Sequence, residues 1–376
     1  MLTRFLLFCI SLSLCLLLAT AGTASQKILA SNSAQNLDDG RVIASDQSAD
    51  SKLAQLNQQF PQTVILPIYQ SLAEQTERLA EAGQAFEQSP NEASLSTFRA
   101  DWLAAATAWA RSQAVAFGPV HSLGHEAALN FPPDEAGIDG LLLEEEDIEA
   151  AVDLESTALL PSLQGFEAMA YLLYGDEGEK AAADFSRRER QYLRRLATTA
   201  QAVAFELVSA WQTGWENYPA YEALLATAGQ PGNGAYMTVQ SGTEEIVRST
   251  INALAIVADE TIPHILEAPE QLSDPSGSTI LQLLDSTVQG IQTAYVGTES
   301  EDRLAGGIGM WVAAEDEEID LQIRQSLNAA IERIEDVMAT PGDTESLSAA
   351  QAFLEIAKDR LEQDMLPLVQ LQTATS

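Results

Sequence analysis

What most limits this chain is the spacing of its apolar residues. They recur in steps of three and four over long stretches, with no convincing run of strict alternation anywhere. A helix turns every 3.6 residues, so such steps keep side chains on one stripe, whereas a half-buried strand needs a period of two. Ile65, Tyr69, Leu72, Thr76, Leu79, Gly83 and Phe86 form one such stripe. Ser89-Pro90-Asn91 interrupts it, and a second helix is predicted from about Ser94 through Phe117, stopping at Gly118-Pro119. Pro161 opens another that ends at Gly175. Leu193, Leu196, Ala200, Val203, Leu207, Ala210 and Gly214 mark a long amphipathic helix in which Trp211 and Trp215 stack at i,i+4.

The run Gly229–Gly234 (GQPGNG) is the strongest punctuation in the chain. Beyond it the pattern predicts helices near 240–268, 279–295, 316–339 and 345–371, separated by SDPSGS, GTESEDRLAGG and TPGDT. The last carries Leu347, Ala350, Leu354, Ala357, Leu361, Met365 and Leu368. The expected fold is all-α: two helical-bundle lobes in series, over residues 51–228 and 235–371.

The first 25 residues read as a secretory signal peptide: one basic residue (Arg4), an apolar core, then small residues, with cleavage after Ala21 or Ala24. A retained anchor is the competing reading of this segment. Residues 26–50 read as a flexible leader. Both cysteines, Cys9 and Cys15, fall in the signal, so the mature chain is expected to have no disulfide, thiolate nucleophile or Cys-bound zinc. No later apolar run is long enough for a transmembrane segment. The expected destination is across the inner membrane, in the periplasm or cell envelope.

Charge narrows the partners. The chain has 376 residues with 19 Lys+Arg against 55 Asp+Glu, a formal net charge of -36. Such a balance repels phosphates and argues against nucleic acid. Cations, or envelope proteins with basic patches, are the natural partners.

Four segments, in order, resemble the imelysin family, exported bacterial helical proteins also classed among metallopeptidases. FRADWLAAATAWARSQAVAFGPV is similar to the family's Trp- and Arg-containing helix ending in Phe-Gly-Pro; LNFPPDEAGIDGLL to its aromatic-Pro-Asp segment followed by Ile-Asp. GFEAMAYLLYG sits where the family has its Gly-x-His-x-x-Glu signature, and the Gly-rich stretch before Trp311, with the acidic helix after it, resembles a segment of the second half. The resemblance implies a two-lobed helical fold, a metal site at the signature, and for some members a link to iron uptake. This sequence departs from the signature: the His falls at Glu167 and the Glu at Ala170, while Gly165 is kept. Gln113 stands where the Phe-Gly-Pro helix often has Glu.

Read without the family, that helix still carries Gln164, Glu167, Tyr171 and Tyr174 on one face, a polar seam of oxygen donors suited to hard cations rather than zinc; iron as the cation is what the resemblance implies. A solvated or hydrogen-bonded face is the plainer reading. His121 and His125, with Glu126 adjacent, share a face if their stretch is helical, as metal-binding pairs do. Five arginines, Arg187, Arg188, Arg190, Arg194 and Arg195, form either an anion site or a set of ion pairs. The acidic runs Glu144–Glu149 and Glu315–Asp320 read as helix starts. No nucleophile elbow, Ser-x-x-Lys or phosphate loop is present. The leading reading is a non-enzymatic exported protein of iron or other metal acquisition, binding a metal species or partner; a metal-dependent peptidase and a helical envelope adaptor stand beside it.

Overall fold

The computed structural model describes residues 39–143, 160–175, 180–274, 276–300 and 303–371. The signal peptide, the leader up to residue 38 and the acidic run Glu144–Glu149 lie outside the described residues. A first helix, α1 (Asp39–Phe60), already covers the last part of the segment read as a leader. After one π-helical turn, Pro61–Ile65, come α2 (Leu66–Gln88) and α3 (Glu92–Ser112). All seven residues of the first predicted stripe are buried. The predicted break is a built stop and start: Asn91 caps α3 by accepting from the Ala93 and Ser94 amides, and Ser94 bonds back to the Asn91 amide.

Three short helices follow, α4 (Pro119–Ser122), α5 (His125–Leu129) and α6 (Glu135–Leu143), then α7 (Gly165–Tyr174) and the long α8 (Arg187–Gln212). The second half holds α9 (Tyr221–Ala226), α10 (Val239–Ala255), α11 (Ile262–Glu267), α12 (Gly277–Val296), α13 (Ile308–Glu315), α14 (Glu317–Ala339), α15 (Thr344–Asp359) and α16 (Leu366–Leu371). Within the separator GTESEDRLAGG two short strands, β1 (Gly297–Ser300) and β2 (Arg303–Gly306), pair antiparallel, Gly297 opposite Gly306.

In the first half α2 packs against both α3 and α8; in the second, α12 packs on α14 and α14 on α15. The buried residues before and after Gly229–Gly234 form one continuous cluster, because α3 lies along α12 and α1 crosses to α10 and α13. Each fully buried Leu or Phe of that cluster contributes about 1.5–3 kcal/mol relative to exposure, so the halves stabilise one another.

Two details depart from the periodic pattern. The stacking of Trp211 on Trp215 does not form: α8 ends at Gln212, and Gly214 turns the chain at φ +92, where a Cβ would lie 2.3 Å from the Tyr218 carbonyl. Trp211 instead meets Phe117 and Tyr221 edge-on, at 5.4 and 4.9 Å. The second is at the C-terminus, where Leu368 is 38% exposed and Val369 fully buried. A π-helical turn at Arg360–Met365 inserts one extra residue, which rotates all that follows. Among the described residues each of the three π turns directly precedes a helix with proline at its second position, Pro67, Pro263 and Pro367. Proline removes a helical N–H and crowds the carbonyl four residues back, and the wider turn relieves both.

Candidate functional site

The signature helix α7 is anchored at its start by the absence of a side chain. Gly165 sits at φ +91, and a Cβ there would lie 2.5 Å from the Leu129 carbonyl oxygen at the end of α5. Trp102 Nε1 donates to the Phe166 carbonyl at 3.0 Å and fixes the first turn on α3. At the other end Arg99 caps the helix, donating to the carbonyls of Leu173 (2.6 Å) and Lys180 (2.5 Å). Ala170 is fully buried, so the methyl group at the signature's Glu position faces the core.

Gln164, Glu167, Tyr171 and Tyr174 are all half-buried while Ala168, Met169, Leu172 and Leu173 are buried, so the polar seam forms as one face. Its members then diverge. Tyr174 packs through its ring, with the Arg99 guanidinium 5.1 Å from its centroid and the Trp102 ring edge-on at 5.6 Å; burial pushes its phenol up, against the pull of Arg99. The Tyr171 hydroxyl donates to Asp139 Oδ1 at 3.0 Å on α6, bringing a carboxylate to the face that also carries Glu167. Asp139 is held in place by its own helix: Ile138 is buried beside it, and Arg188 donates twice to the Leu141 carbonyl, at 2.8 and 3.1 Å. Asp139 belongs to the Ile-Asp segment, but nothing local in the sequence aimed it at Tyr171.

The arginine cluster is largely spent on the protein. Besides Arg188, Arg190 donates to the Phe185 carbonyl and Arg194 pairs with Glu87 at 2.6 Å, while Arg187 is exposed.

The two histidines do not share a face. Gly124, in the left-handed conformation at φ +71, separates α4 from α5, so each imidazole turns to a different carboxylate. His121, near the surface, lies 3.5 Å from Glu126 Oε2. His125 is buried, 3.2 Å from Glu206 on α8; burial pushes its imidazole down to about 4 and the Glu206 carboxyl up. His264 is an exposed neighbour of Glu267.

A second polar network was not foreseen. The Tyr236 hydroxyl donates to Glu245 on α10 and lies 2.9 Å from the Tyr221 hydroxyl. Burial raises Glu245 above the ordinary carboxylate range, while the hydrogen bonds from Tyr236 and Tyr221 and the charge of His121 pull the other way. Burial also pushes the Tyr221 phenol up to about 12. Gly118, at φ +64, lets the Phe-Gly-Pro turn touch the Tyr221 ring, 2.6 Å from where a Cβ would stand. Close by, Tyr69 donates to the Val115 carbonyl at 3.2 Å and faces Glu126, whose Oε1 is buried without a hydrogen-bond partner among the described residues. Gln113 is buried in the same 113–115 turn. These residues come from four distant segments without a shared period, so no sequence pattern marks them.

In the second acidic run Asp316 caps α14 through the Glu318 and Ile319 amides. Asp320 instead is buried, accepting from Tyr295 (2.9 Å) and Arg324 (2.8 Å).

Among the described residues no three His, Cys, Asp or Glu side chains converge as a metal-holding group. A zinc centre of the metallopeptidase kind needs three protein ligands and a base, and the donors at α7 do not fit it. Carboxylate and phenol oxygens fit a hard cation that keeps part of its water shell.

This helical chain, with a degenerate signature helix wedged on a glycine, belongs to the imelysin family, also classed as peptidase family M75, whose model matches residues 65–365. It is 31% identical over 323 residues to iron-regulated protein A of Synechococcus elongatus, covering 83% of this chain and 86% of that one. Two crystal structures share the fold. A protein of Parabacteroides distasonis named as an iron-regulated protein A precursor superposes with TM-score 0.69 at 16% identity, covering 86% of this chain and 95% of that one. An imelysin-like protein of Psychrobacter arcticus gives TM-score 0.61 at 14% identity, covering 86% and 96%. No described helix is long and apolar enough to cross a membrane.

Proposed function

We propose that the protein is an exported, non-enzymatic imelysin that serves iron acquisition, binding a ferric or similar hard-cation species at the oxygen donors shared by α6 and α7. The observation that carries this reading is the Tyr171–Asp139 hydrogen bond of 3.0 Å, on the half-buried face that also presents Glu167. Two carboxylates and a phenol select hard, highly charged cations over softer ones. The net charge of -36 draws such cations toward the surface. The name of the Synechococcus relative supports the link to iron. Ala170 speaks against peptidase chemistry, since its methyl group neither ligates a metal nor activates water. Export to the periplasm or cell envelope rests on the N-terminal segment.

The test is titration of the purified protein with ferric citrate, followed by calorimetry and by visible tyrosinate-to-iron absorption. Glu167→Ala and Tyr171→Phe should each weaken binding about tenfold or more, as expected for losing a charge-assisted contact. Glu126→Ala, in the separate network, should leave it unchanged. Equal binding by the wild type and both α7-face variants refutes the site. Chelator-sensitive cleavage of an unfolded substrate, lost in His121→Ala, would establish the peptidase reading instead.

A further inference from the structure

Away from the signature helix, oxidisable rings and a proton acceptor form one chain of contacts. The Trp211 ring, at the end of α8, meets the Tyr221 ring at 4.9 Å, and Tyr221, at the start of α9, meets the Tyr236 ring at 6.1 Å, both edge-on. The two phenol oxygens lie 2.9 Å apart, and the Tyr236 hydroxyl donates to Glu245 on α10. The run Gly229–Gly234 holds the chain stiffly. The Gly229 amide donates to the Tyr236 carbonyl at 3.0 Å, and Asn233 accepts from the Tyr236 amide at 2.9 Å while donating to the Leu224 carbonyl at 2.6 Å. The loop thereby ties Tyr236 to α9, the helix that carries Tyr221.

The ends of this chain differ in what they can do with a proton. An indole or phenol that has lost an electron is a strong acid, and it is stabilised where a base takes its proton. Trp211 is fully buried and its Nε1 has no hydrogen-bond partner among the described residues, so a hole there keeps its proton and stays high in energy. Tyr236, only 5% exposed, has its hydroxyl on a carboxylate. Among the described residues Glu245 closes no ion pair. The charge of His121 reaches it, but burial prevails and leaves it a stronger base than an exposed glutamate. Tyr295 gives the contrast. Its hydroxyl donates to buried Asp320 at 2.9 Å, but Arg324 holds that carboxylate at 2.8 Å, so the base is already neutralised.

We propose that this chain of side chains is a radical sink: a hole left on Trp211 or Tyr221 by an oxygen-centred radical passes to Tyr236, whose phenolic proton moves to Glu245 as its electron leaves. The attacking radical gains that electron and becomes an anion; the protein is left with a neutral tyrosyl radical and a protonated Glu245 carboxyl. A reductant of the thiol or ascorbate class then supplies one electron, and the proton returns from Glu245 to restore the phenol. Burial of the Tyr236 ring keeps its radical from coupling with another.

The test is flash oxidation of the whole chain by photogenerated ruthenium(III) trisbipyridine. Tryptophanyl and tyrosyl radicals are followed by transient absorption and trapped for electron paramagnetic resonance. In the wild type a tryptophanyl signal should give way to a long-lived tyrosyl signal. Tyr236→Phe should lose that long-lived signal. Glu245→Gln keeps the shape but not the base and should slow its formation by about a hundredfold or more. Tyr221→Phe should leave the tryptophanyl signal in its place. Tyr218→Phe, which removes a phenol 72% exposed, should leave the long-lived signal unchanged and so exclude surface oxidation as its source. Absence of the long-lived signal from the wild type, its persistence at wild-type size and rate in Tyr236→Phe, Glu245→Gln or Tyr221→Phe, or its loss in Tyr218→Phe would each overturn the proposal. Glu167→Ala should not affect it, so its fate is separate from that of the cation site.

Discussion

Replacing Gly165 by alanine tests how the signature helix is positioned. Two costs add. The backbone stands at φ +91, where an L-residue pays about 1–2 kcal/mol. The new methyl would also lie 2.5 Å from the Leu129 carbonyl oxygen and 2.8 Å from its carbon, and since both are backbone, α5 or α7 must shift, at about 1–3 kcal/mol. The expected loss is therefore about 2–5 kcal/mol, a large part of the 5–15 kcal/mol that holds a typical protein folded. Gly124→Ala isolates the first cost. It has a comparable φ of +71 but nothing within 4 Å of its Cβ, so only the conformational cost of about 1–2 kcal/mol should appear. Urea unfolding of both variants, followed by tryptophan fluorescence and far-ultraviolet circular dichroism, measures the difference. If the two losses agree within about 0.5 kcal/mol, the ordinary spread for neutral sites, α5 and α7 do not approach as described.

Three further outcomes are expected. His125 is held down to about 4, so the unfolded chain binds its proton more readily; stability conferred by this site is complete above about pH 6.5 and lost as pH falls toward 4. His125→Gln should flatten the pH dependence of unfolding across that window, and an unchanged slope refutes the assignment. Tyr236→Phe removes the hydroxyl that serves half-buried Glu245 and should cost about 1–3 kcal/mol, and Glu245→Leu in the same chain should recover part of it in a double-mutant cycle; additive losses would mean the two groups do not interact. Val369→Ala should cost about 1–2 kcal/mol by denaturant melt and Leu368→Ala less than about 0.5, and the reverse order would place the C-terminal register without its π turn.

The candidate site was legible in part. The face of Gln164, Glu167, Tyr171 and Tyr174 follows from helical spacing alone, because neighbours at three and four residues share a side wherever the helix lies. That Tyr174 is spent on Arg99 while Tyr171 meets Asp139 could not be read, since the partners come from α3 and α6 and no local rule sets where those helices pass. The histidine pair failed for a smaller reason: Gly124 adopts a left-handed conformation in the one place that breaks their common face.

By itself the sequence determined that this chain is helical, where most helices start and stop, and that position 170 carries no donor atom. These follow from period, capping residues and covalent structure, which act within a few residues and need no partner. Only the tertiary structure decided that buried residues of both halves close into one core, that the helices with Pro67, Pro263 or Pro367 at their second position follow π turns, and that Glu245, Tyr236 and Tyr221 join in one network. Those outcomes depend on contacts between residues far apart in the chain. Their energies exist only once the helices are packed, so no window of sequence contains them.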